Sequence, residues 1–130
     1  MNVWIFSAGL LGLFTSLVHI FAGQVDPVRP FLKSDLTDTA KATLLACWHM
    51  ISVLLVFASS VLTYAGWSNS IDLLPSAIAV SIAFSVFSMI FIAVGGSFFG
   101  FNSLIKLPQW LLLLTIGVLG LTGAIEVLYG

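Results

Sequence analysis

The fold turns on one stretch, Leu17–His49: LVHIFAGQVDPVRPFLKSDLTDTAKATLLACWH. It leaves one apolar segment through His19, crosses a charged patch with two prolines, and enters a second apolar segment carrying Trp48 and His49. Both histidines of the chain and six of its nine charged side chains lie here. On either side the sequence is almost free of charge.

Of the 130 residues, 60% are hydrophobic and 7% charged, and the mean hydropathy is +1.18. Soluble domains carry about 25% charged residues. A water-soluble chain this short has too much surface for its volume to hide so much apolar area. Lipid as the solvent removes that conflict. A net charge of -1 gives no basic footprint for nucleic acid, so nucleic acid is not expected as a partner.

Four segments are apolar and long enough to cross a ~30 Å hydrocarbon layer, which takes about 20 helical residues. They cover approximately residues 3–22, 42–64, 73–94 and 110–128. Hydrocarbon offers no partner for backbone N–H and C=O groups, so each span must be a helix or part of a closed barrel. None shows strand alternation. The fold class expected is therefore all-α, a polytopic membrane protein with four transmembrane helices in an up-down-up-down bundle. The whole chain forms one domain. No Lys or Arg precedes the first apolar run, as a cleavable leader would require, so that run is read as retained.

The connections refine this picture. Pro27 and Pro30 make DPVRP a stiff turn rather than regular helix, and Thr37 or Asp38 caps the next helix. The short connection AGWSNSID makes the second and third spans antiparallel neighbours. Phe98, Phe99 and Phe101 in SFFGFNSLIKL suit a piece lying along the membrane interface. Small residues suit close helix approach at Ala8 and Gly12 and at Gly117, Gly120 and Gly123. Ser81, Ser85 and Ser88 share one face, as a packing surface or a narrow polar path. All four cations (Arg29, Lys33, Lys41, Lys106) belong to the first and third loops or their borders. By the positive-inside bias those loops are cytoplasmic and both termini outside. This is the pattern of a bacterial inner membrane protein.

The candidate ligand-binding residues are His19, Asp26, Arg29 and His49. Both imidazoles fall toward the cytoplasmic ends of antiparallel spans, at depths differing by about one helical turn. Intramembrane ionisable groups default to functional hypotheses. Three chemistries remain open. His19 and His49 as axial ligands would hold a haem b. A quinone would take a hydrogen bond from a histidine, with Arg29 steadying charge. Proton or ion movement would use the one side chain that titrates near neutrality. A plainer account seats His19 at the interface and bonds His49 to a neighbouring helix. No other metal site is expected, because zinc needs three or four ligands. Cys47 and His49 point about 200° apart on a helix. Glu126 is out of place in the last apolar turns.

Sequence motifs for nucleotide binding, zinc proteolysis or serine hydrolysis are absent. The expectation is a small membrane binding or accessory subunit, not an independent enzyme. Its partners would be membrane lipid and either further copies of itself or a larger membrane complex.

Overall fold

Two side chains start the first two long helices. Asn2 accepts a hydrogen bond from the Ile5 N–H at 2.9 Å and opens α1, Val3–Gly23. Thr37 accepts from the Ala40 N–H at 3.3 Å and opens α3, Asp38–Ser68. Each satisfies one of the donors that a helix start leaves free. The computed structural model describes residues 1–130. Besides α1 and α3 it contains α2, Arg29–Lys33, α4, Leu74–Phe99, α5, Ser103–Lys106, and α6, Gln109–Tyr129. Four helical segments are long and apolar enough to cross a membrane. The hydrogen bonding fits that solvent: 100 of 109 backbone bonds lie within helices, so each span satisfies its own backbone.

The helices outrun the apolar segments that mark them. At 31 residues α3 is about 46 Å long, well beyond the hydrocarbon layer. It consumes most of the second loop and stops at Asn69, whose left-handed φ of 52° closes the helix through its N–H to the Ala65 carbonyl at 3.0 Å. In the first loop the chain stays coiled through Gln24–Val28, broken by extended backbone at Asp26 (φ -148°, ψ 114°). Pro30 then sits in the first turn of α2, where its missing N–H is no loss. In the third loop Gly100 takes φ 56° and α5 folds back on α4. A Cβ on Gly95 would stand 2.9 Å from that of Ser103 and 3.0 Å from Leu107 Cδ1. Phe98, Phe101 and Ile105 point outward.

Glycines decide which helices touch. A Cβ at Gly9 would strike the backbone of Thr63, at Gly12 the side chain of Ser59, and at Gly66 the backbone of Phe6. These contacts run α1 and α3 past each other in opposite directions. Gly123 meets Asn2 and Ile5 of α1, and Gly117 and Gly120 meet Ser81 and Ser85 of α4. So α1 packs on α3 and α6, and α6 packs on α4, whereas α3 and α4 touch sparsely. The short connection does not make α3 and α4 close neighbours, contrary to the sequence expectation. The small face of α4 is taken by the glycines of α6, and no glycine opens a way between α3 and α4.

The buried core is Ile5, Ala8, Leu55, Leu62, Ala65, Leu74, Ala77, Phe84, Leu113, Ile116 and Ala124. Phe14, Phe57 and Met89 are among many large apolar side chains left exposed. That distribution would be costly in water and is favourable in lipid.

Candidate functional site

His19 is placed by α1 and met by α3. Gly23 lies one turn further along the same face of α1. Across that face lies Trp48. Its indole stacks on the His19 imidazole, with centroids 3.8 Å apart and planes 14° from parallel. Its far edge occupies the space that a Cβ on Gly23 would need. One glycine thus makes room for the ring that covers the histidine. The Trp48 carbonyl accepts the Ser52 hydroxyl at 2.9 Å. The His19 imidazole lies against the Trp48 backbone, yet its buried Nε2 makes no well-formed hydrogen bond in the protein. Leaving such a group unpaired costs about 1–3 kcal/mol.

The other three predicted residues sit elsewhere. His49 follows Trp48 and is turned about 100° around α3, which leaves it exposed. Asp26 and Arg29 are exposed in the bend between α1 and α2. Trp48, not His49, is therefore the ring against His19. Cys47 is also exposed, and no three His, Cys, Asp or Glu side chains gather as metal ligands.

Two cavities lie away from these residues. One of about 320 Å³ is a groove between α1 and α3, lined by Phe6, Leu13, Ser60, Thr63, Tyr64 and Trp67. The other, about 540 Å³, is at the end of the bundle opposite His19 and includes Asn2, Trp4, Asn69 and Glu126 in its lining. Neither is lined by His19, Asp26, Arg29 or His49.

The serines on α4 behave as packing groups. Ser81 and Ser85 donate back to the carbonyls of Ala77 and Ser81, at 2.7 and 3.0 Å, and Ser88 donates across to the Trp110 carbonyl at 2.8 Å. Ser59 is fully buried and its Oγ has no partner. Its neighbour is Gly12, and a weak C–H···O contact suits that approach.

Asn2 is the polar residue that sequence reasoning passed over. Only 7% exposed, it joins three helices. Its N–H donates to the Gly66 carbonyl at 2.8 Å. Its Nδ2 donates to the Gly123 carbonyl at 3.1 Å and to Glu126 Oε2 at 3.2 Å. An asparagine just before an apolar run is a helix-start signal. Its reach to α3 and α6 is tertiary and leaves no mark in sequence. Glu126, odd by sequence, is thus held by a donor from α1.

The class defined is a small integral membrane protein of four long apolar helices, with one half-buried imidazole near its basic end. Set against family models, curated proteins and solved structures, the chain matches none.

Proposed function

We propose that this chain is a membrane binding or accessory subunit, without enzymatic activity of its own, whose ligand site is centred on His19 and Trp48. The observation that carries the reading is the buried Nε2 of His19 without a partner. A ligand oxygen that reaches it once Trp48 gives way recovers the cost of that orphan. Trp48 supplies a flat apolar wall, and Arg29, exposed on the nearby bend, supplies charge at the membrane surface. That combination suits an amphiphile with an oxygen-bearing head, a quinone or a lipid. Haem held by both histidines fits less well, because His49 lies on a different face of α3.

In this reading the four spans alternate in direction. The end carrying Arg29, Lys33, Lys41 and Lys106 is cytoplasmic, the termini are outside, and the membrane is of the bacterial inner type. The small-residue faces of α1, α4 and α6 cannot serve a partner, since Ala8, Gly12, Ser81 and Gly117 are buried inside the bundle. Another copy or a larger complex would instead use the loosely closed side between α3 and α4.

The test is mass spectrometry of small molecules that copurify with the chain in native-lipid particles. A species enriched over bulk lipid is expected, lost in His19→Phe and retained in His49→Ala. A profile identical to bulk lipid in the wild type sinks the proposal. Haem supplementation in the same particles is the control: a Soret band abolished by either His19→Ala or His49→Ala would replace this reading with the haem one.

A further inference from the structure

We propose that the gap between α3 and α4 binds the tail of a phospholipid, which enters sideways from the leaflet at the basic end. This site is independent of the His19 reading.

Burial along the two helices reveals the gap. Seven-residue steps keep a residue on nearly the same face of a helix. On α3 one such line runs away from the connection through Ala65, Ala58, Ile51 and Leu44. Ala65 is buried, Ala58 half-buried, and Ile51 and Leu44 are exposed. On α4 the matching line runs through Ala77, Phe84, Phe91 and Phe98, and exposure rises from 0% to 2%, 37% and 78%. Ala65, Ala77 and Phe84 belong to the one buried core. The two helices therefore meet beside their connection and spread apart towards the basic end, which is why they touch so sparsely. From Ala58 to Leu44 the gap is about 21 Å long. One leaflet of hydrocarbon is about 15 Å thick, half of the ~30 Å layer, so a whole tail fits.

The walls choose the occupant. The helix contacts of this bundle run through Gly9, Gly12, Gly66, Gly117, Gly120 and Gly123, because helices in a membrane come close over small residues. The open part of the gap offers Leu44, Ile51, Phe91 and Phe98 instead. Its taper suits a flexible chain and not a rod of about 10 Å diameter. A second copy on this side would rest on the rims, over the tail. The mouth carries cations for the phosphate of a phospholipid. Lys41 is one turn beyond Leu44, and Lys106 is held over the ring of Phe99 at 4.7 Å, next to Phe98. Asp38 lies a further turn out. The ligand is therefore a phospholipid whose tail lies along α3 and α4, with its phosphate level with the lysines.

The experiment places the full chain in nanodiscs of phosphatidylglycerol and phosphatidylethanolamine, doped with phospholipid carrying a photoreactive diazirine in its tail, and maps the label by mass spectrometry. Bulk lipid labels by exposure, so it favours Phe57 and Ile82, which are more exposed than Phe91 and Ile51. A resident tail reverses that order within each residue type. Phe91 and Ile51 are expected to take about tenfold more label than Phe57 and Ile82, the ratio that about 1.4 kcal/mol of preferential binding gives. Ile51→Trp fills the gap and should return Phe91 to the bulk level, with Phe57 and Ile82 unchanged. Should it fail to fold, Leu44→Trp is the second variant, with the same loss at Phe91 expected. Label that follows exposure, or a Phe91 signal that survives in the folded variant, overturns the site. Phe91 and Ile51 left unlabelled beside labelled Phe57 and Ile82 would put protein in the gap and overturn it equally.

Discussion

The two ends of α1 handle polar groups in opposite ways. At Asn2 one side chain and its own N–H make hydrogen bonds to α3, α6 and the start of α1. Around His19, one turn before the helix bends, the ring is stacked and half-buried, and its buried Nε2 makes no well-formed bond. The glycines differ in the same sense. Gly66 lies against the backbone of Phe6, and Gly23 lies against the ring of Trp48. A backbone cannot step aside, whereas a ring can turn about its χ angles. The lesson is that the helices at the Asn2 end are locked together by hydrogen bonds and backbone contact, and those at the His19 end meet through a single side chain that can turn.

That contrast is broken most forcefully at the glycines. Gly66→Ala is expected to cost about 3 kcal/mol, at the upper end for overpacking, while Gly23→Ala costs about 1 kcal/mol because Trp48 swings away. Denaturant unfolding in detergent micelles measures both, and equal losses would erase the distinction. Next in size, Asn2→Ala should cost about 2 kcal/mol, combining a lost cap with interhelical bonds that average roughly 0.6 kcal/mol in membranes. A loss below a few tenths, in the same unfolding assay, would show that the three-helix node is not a brace. The smallest effect is expected at the other end. His19→Phe keeps the stack on Trp48 and removes the orphan nitrogen, so stability should hold or rise by about 1 kcal/mol. His49→Phe should leave it unchanged. A marked fall in His19→Phe, seen as a lower thermal midpoint, would mean that the imidazole is already satisfied in the membrane.

Much of the architecture could be read from residue order. The helix start at Thr37, the bend at DPVRP, the packing role of Gly117, Gly120 and Gly123 and the close approach at Ala8 and Gly12 all follow from local chemistry. The site was less legible. His19 was visible as an ionisable group in an apolar span, but whether His49 or another side chain meets it depends on the rotation of α3, which the sequence left open. One residue of difference, about 100°, exchanges an imidazole for an indole. The Gly23 opening that admits Trp48 was equally hidden, because a glycine after a helix reads as an ordinary terminator.

Composition and spacing alone determined that this chain lives in lipid as four helices with its cations gathered at one end. Solvent preference and backbone satisfaction are properties of segments, and segments are written in the sequence. The tertiary structure alone decided that α1 packs between α3 and α6, that Trp48 covers His19, and that Asn2 reaches Glu126 124 positions away. Those facts depend on helix rotation and on which smooth faces meet. Both are settled by close packing between segments, which no single segment encodes.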